Sequence, residues 1–165
     1  LALDTTDATF DAIFLNDTAP DAKCFTLGPT GYATNNNSAT YVAYCWYGVD
    51  GFSKFGKFTG NANTSGPYVY LGFKPAWVMI KNGSAGSTNW VVWDNKRTPI
   101  NPIGTGLRPN TTDTDTTGFD LDFTANGFRI RDSEASMNGS RNDMLYMAFA
   151  EHPFLGNATN PVTAA

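Results

Sequence analysis

The sequence predicts an all-β chain, an antiparallel β-sandwich accompanied by part of a second one. Three observations predict it. The composition suits sheets: aromatic residues make up 14% of the 165 residues and charged residues only 16%, and broad rings pack well on pleated faces. The acids are nearly all Asp, with Glu134 and Glu151 the exceptions, and Asp, Asn, Gly and Thr favour turns over helix interiors. Apolar residues come in short runs of period two between Gly, Asn and Pro. The two ends of the chain also resemble each other.

The elements follow in order. Tyr41-Val42-Ala43-Tyr44-Cys45-Trp46 is apolar on both faces, the pattern of a central strand covered on both sides. Tyr68-Val69-Tyr70-Leu71, Ala76-Trp77-Val78-Met79-Ile80 and Trp90-Val91-Val92-Trp93 are the next strands. Phe119, Leu121 and Phe123 alternate with Asp120, Asp122 and Thr124, which reads as a half-buried strand. Phe128 and Ile130 alternate with Arg129 and Arg131 in the same way, and Met144 to Ala150 closes the series. Asn82-Gly83, Asn126-Gly127 and Asn138-Gly139 are turn signals between runs. Thr98 to Thr117, rich in Pro, Gly, Thr and Asn, reads as a long surface connection with room for one short strand. Residues 156–165 read as a polar tail or linker.

Comparing the chain with itself sets the domain organisation. Phe25-Thr26-Leu27-Gly28 precedes Tyr41–Trp46 much as Phe128-Arg129-Ile130-Arg131 precedes Tyr146-Met147-Ala148-Phe149-Ala150. Asn35-Asn36-Asn37-Ser38 and Asn138-Gly139-Ser140 lie between the members of each pair, and Phe10 and Phe14 match Phe119 and Phe123. The separation is about 105 residues, the size of a small sandwich domain. Residues 1–50 are therefore expected to be the C-terminal half of a first repeat, or part of one larger sandwich, and residues 51–155 a complete repeat. The chain opens on Leu1 and carries no signal-peptide pattern, which reads as a processed product or a piece of a longer chain.

Several linked motifs resemble a recurrent module of bacteriophage tail-fibre and related virion proteins. They are Gly51-Phe52-Ser53-Lys54-Phe55-Gly56, Gly72-Phe73-Lys74-Pro75-Ala76-Trp77-Val78-Met79-Ile80-Lys81, Trp90-Val91-Val92-Trp93-Asp94, Asn126-Gly127-Phe128 and Ala148-Phe149-Ala150-Glu151-His152-Pro153-Phe154. The resemblance spans most of the chain. It implies a concanavalin A-like, jelly-roll type β-sandwich, often in tandem, and it carries over no catalytic residue. His152 stands where Ser or Asn is expected.

Composition and motifs narrow the chemistry. A net charge of −4 argues against nucleic-acid binding, which needs a basic surface. No apolar run is long enough to span a bilayer as a helix. His152 is the sole histidine; a nucleophile–histidine arrangement would need it, and it reads as a surface residue near the domain boundary, while a zinc site cannot be supplied locally. The alternating Asp120 and Asp122 read as a solvated face rather than as the paired carboxylates of a glycosidase. Asp113, Asp115, Asp120 and Asp122 are the candidate ligands for calcium, the only cofactor suggested. Cys24 would face Cys45 for a disulfide if Phe25–Gly28 and Tyr41–Trp46 paired antiparallel; two free thiols are the alternative. Tyr47, Tyr68, Trp90 and Trp93 are the candidate rings for stacking a host glycan. The expected function is a non-enzymatic virion-surface component for display and glycan adhesion. The alternative is a self-assembling subunit, such as a capsid decoration or filament protein. The expected partners are copies of itself, other virion proteins and host glycan.

Overall fold

The computed structural model describes residues 3, 5–9, 15–21, 23–29 and 34–153. Phe10, Phe14 and the 156–165 tail lie outside the described residues. Eight strands and one helical turn follow each other: β1 (Ser53–Thr59), β2 (Tyr68–Tyr70), β3 (Pro75–Asn82), β4 (Trp90–Asp94), β5 (Ile103–Gly106), β6 (Thr116–Thr124), β7 (Gly127–Ile130), α1 (Ala135–Asn138) and β8 (Asp143–Ala150). They form two four-stranded antiparallel sheets. Sheet A has the order β1-β8-β3-β4 and sheet B the order β2-β7-β6-β5. The fold is thus an all-β sandwich.

Alternation builds the core between the sheets. Val78, Ile80, Val91, Trp93, Met144, Tyr146 and Ala148 point inward from sheet A, and Val69, Ile103, Phe119, Leu121, Phe123, Phe128 and Ile130 from sheet B. Trp93 is fully buried, and its indole Nε1 donates to the Phe119 carbonyl at 2.8 Å, so no polar atom of the ring is stranded. Phe58, Phe128 and Tyr146 make edge and tilted ring contacts across the sandwich. The β6–β7 hairpin turns through Ala125 and Asn126, with Thr124 opposite Gly127. A Cβ at Gly127 would lie 2.1 Å from the Val69 carbonyl oxygen, so only glycine lets β2 pair with β7 there.

The loops at the β1–β8 end hang on two buried amides. The Asn138 side chain donates to Asn61 Oδ1, the Asn63 carbonyl and the Asp132 carbonyl, and accepts from the Asn61 N–H. Asn82 Oδ1 accepts from the Ser84 and Ala85 N–H groups, and its Nδ2 donates to the Ala135 carbonyl. α1, capped by the Glu134 carboxylate, seats Met137 in the core.

The described residues of Leu1–Thr9 and Tyr47–Ala165 form one compact unit and those of Phe10–Trp46 another. In the first unit, Thr9 donates to the Gly83 carbonyl through both its N–H and its hydroxyl, and Thr88 N–H donates to the Thr6 carbonyl. In the second unit the structure departs from the expectation. Tyr41–Trp46 is not a strand, and Phe25–Gly28 does not pair with it. Val42 and Tyr44 are 76% and 75% exposed, with Tyr44 stacked on Trp46 at 6.1 Å. The reason is visible in β8, which carries the matching sequence. It is a strand because β1 and β3 bond it on both sides, and no such neighbours flank residues 41–46 among the described residues. The second unit is held by turns instead: Asp21 accepts from the Lys23 and Cys24 N–H groups, and Asn35 Nδ2 donates to the Gly28 carbonyl.

Candidate interaction face

The residues singled out by sequence are scattered over the molecule. Trp93 belongs to the core and is withdrawn as a glycan platform. Trp90 lies three residues before it, an odd step, so the strand sends it to the opposite, outer face of sheet A, where it is half-buried. Tyr68 is exposed on sheet B, its hydroxyl donating to Asn126 Oδ1 at 2.5 Å, and Tyr47 is exposed just ahead of β1. These rings do not converge on one site.

The acidic candidates are dispersed too. Asp113 pairs with Arg108 at 3.3 Å, Asp115 with Arg97, and Asp122 with Arg131 at 2.5 Å. Asp120 lies beside Gly104, where a Cβ would come within 2.8 Å of its Oδ1. Among the described residues no group of three His, Cys, Asp or Glu side chains could hold a metal ion. Arginine guanidinium groups pair with three of the four carboxylates. Cys24 and Cys45 are free, exposed thiols.

A feature spread over four strands stands out instead. On sheet B the outward positions of β6 and β7 are polar: Asp120, Asp122 and Thr124 beside Arg129, with Arg131 following the strand. On sheet A the middle of the outer face is apolar, with Lys57, Lys81 and Asp94 at its margins. The registers align Phe55, Met147, Met79 and Val92 in one row across β1, β8, β3 and β4. Phe149 and Trp77 are opposite each other in the next row, and Leu145 and Trp90 flank Lys81 on the other side. Phe149 is the hub, with ring centroids 5.9 Å from Phe52, 5.9 Å from Phe55 and 5.6 Å from Trp77. Apart from the buried Val92 and Lys81, the side chains of these rows, Phe55, Trp77, Met79, Trp90, Leu145, Met147 and Phe149, are half-buried. Each such side chain leaves roughly 1 kcal/mol of burial unrealised, and contiguous apolar surface of this kind marks interaction sites. Lone exposed apolar residues would carry no such meaning.

Lys81 sits at the margin of this face. It is fully buried, its ammonium donating to the Asn82 carbonyl at 2.8 Å, Thr88 Oγ1 at 2.9 Å and the Thr6 carbonyl at 3.5 Å. Burial pushes its pKa below the usual lysine range, against the opposing field of Asp7. No sequence pattern marks this lysine as buried, since it occupies an outward strand position.

Over residues 1–153 the chain matches a family described as a domain of unknown function (DUF7483). The chain belongs to this family. No curated protein and no solved structure matches it. The match to the DUF7483 domain takes in both compact units, the sandwich and residues 10–46 alike.

Proposed function

We propose that this DUF7483 chain is a non-enzymatic structural module of a bacteriophage virion surface. It works by packing the outer face of sheet A against a neighbouring protein, in the first place another copy of itself. The asymmetry of the two sheets carries the reading. A free-standing antiparallel sandwich solvates both outer faces; here β6 and β7 of sheet B do so with charged residues beside the exposed Tyr68 and Tyr70, while sheet A presents the half-buried Phe55, Trp77, Met79, Met147 and Phe149. Aromatic residues and Met with few charges are the composition of a protein interface core, and a glycan would ask for more polar groups. The apolar sequence pattern of β8 recurs in Tyr41–Trp46, so the pattern goes with the module, and this favours a like partner. The phage setting rests on the resemblance of the Gly51–Gly56, Gly72–Lys81 and Ala148–Phe154 motifs to tail-fibre and virion modules. Sedimentation velocity over a range of protein concentrations tests the reading. The chain is expected to self-associate, and Met147→Asp, which puts a charge in the middle of the face, is expected to abolish the association with the far-UV spectrum unchanged. A chain that stays monomeric at every concentration would remove the reading.

A further inference from the structure

We infer that a cleft at one end of the sandwich is a binding site for a small sugar acid. The cavity measures about 280 Å³ and lies where the entry to β3, the turn after β4 and the exit of β8 meet. This inference is independent of the outer face of sheet A and adds a ligand to the module.

The walls are built before any ligand arrives. Asn95 N–H donates to the Ala76 carbonyl at 3.0 Å, and Glu151 N–H to the Lys74 carbonyl at 2.9 Å. Asp94 Oδ1 accepts from the Lys96 and Arg97 N–H groups, both at 2.9 Å, which sets the turn. The Arg97 guanidinium then ties that turn to Asp94 and Asp115. Asn101 holds the far wall by exchanging two hydrogen bonds with the Phe123 backbone, at 2.7 and 3.0 Å. Side chains fixed in this way lose little freedom on binding.

The functional groups then select the ligand. Glu151 is held by the Lys74 ammonium and by Asn95 Nδ2, both at 2.7 Å. The Lys74 hydrogen bond is the main reason its carboxyl lies below the usual range, so it is ionised and ready to accept hydroxyl protons. Lys96 also lines the cleft and is exposed, and its ammonium has no partner among the described residues. Two ammonium groups against one carboxylate leave an excess positive charge in the cleft, which selects an anion. Glu151 and the Asn95 carbonyl offer acceptors to hydroxyl groups. Ile103 and Phe123 supply an apolar floor for ring carbons. One six-membered ring bearing a carboxylate and several hydroxyls meets all three demands, and a cavity of this size holds one such unit.

The test is a titration of the full ¹⁵N-labelled chain with glucuronate, followed by amide chemical shifts, with glucose and acetate as separate arms. Saturable shifts at Asn95, Lys96 and Glu151 are expected with glucuronate. Binding of glucose and of acetate is expected to be at least about ten-fold weaker, because each lacks one half of the recognition. Lys96→Gln is expected to weaken glucuronate about ten-fold, while Lys57→Gln, outside the cleft, leaves it unchanged. Absence of saturable shifts would overturn the site. An equal response to acetate, an equal response to glucose, or unchanged binding by Lys96→Gln would overturn the assignment of its ligand.

Discussion

At the scale of single residues, two buried polar side chains decide how the loops are held. Asn138 is a buried amide whose loss would remove the bonds that tie the Asn61–Asn63 loop and the Asp132 carbonyl to α1. Asn138→Ala is therefore expected to lower the unfolding free energy by about 2–4 kcal/mol, read from urea denaturation. Lys81 gives the opposite kind of signature. Its folded pKa lies below the ordinary 10.5 because burial disfavours the charged form. Between the two values the unfolded chain binds a proton that the folded chain has released, so stability rises with pH across that window. Below the folded pKa both states are protonated and the burial penalty stands in full. As the pH rises from neutral toward about 10, the urea midpoint of the parent is expected to climb more than that of Lys81→Met. Tyr146, raised by burial, works in the other direction at higher pH. Equal slopes for parent and variant would mean that the ammonium is not desolvated.

At the scale of elements, the strands that sequence reasoning finds are those whose pattern needs no partner to be read. The Phe119–Phe123 alternation became β6 and Phe128–Ile130 became β7, each with the predicted face inward. β1 is harder to read. Gly56 interrupts its pattern because the Tyr146 ring occupies the space of a side chain there, with a Cβ falling 2.9 Å from the Tyr146 hydroxyl. α1 is too short to show a helical period. The segment Tyr41–Trp46 reads as a strand by its own residues, but a central strand is defined by two neighbours, and sequence cannot supply them. The cleft was equally hidden: Lys74, Asn95 and Glu151 are far apart in the chain and meet because β8 lies beside β3 and β3 beside β4. Part of its wall, Pro99, Asn101 and Ile103, does fall in the Thr98–Thr117 segment that reads in the sequence as a long surface connection. The absence of a 41–46 strand has a chemical consequence. Cys24 and Cys45 are both exposed, so both thiols are expected to react with Ellman's reagent in the native chain, fast and without denaturant. Silence of both, restored by a reductant, would mean a disulfide and a paired strand after all.

At the scale of the whole molecule, the two sheets divide the work. Sheet B meets water with Asp120, Asp122, Arg129 and Arg131, and its ion pairs are partly exposed and contribute little to stability. Sheet A has its inner face in the core and the middle of its outer face apolar, so β8 from Met144 to Phe149, flanked by β1 and β3, is apolar on both sides. This two-sidedness was legible in Met144–Ala150. What the sequence could not tell was which side chains join Leu145, Met147 and Phe149, because Phe55 and Trp77 come from strands more than sixty residues away along the chain. Only the sheet order turns scattered apolar residues into one face.

That face is tested most directly by placing a photoreactive benzophenone side chain at Met147, in the middle of sheet A, and in a second sample at Arg129, on sheet B. After irradiation of the full chain, covalent chain-to-chain products are expected from the Met147 position and not from the Arg129 position. Products from Arg129 alone, or none from Met147 at concentrations where the chain associates, would contradict the assignment of sheet A as the interface.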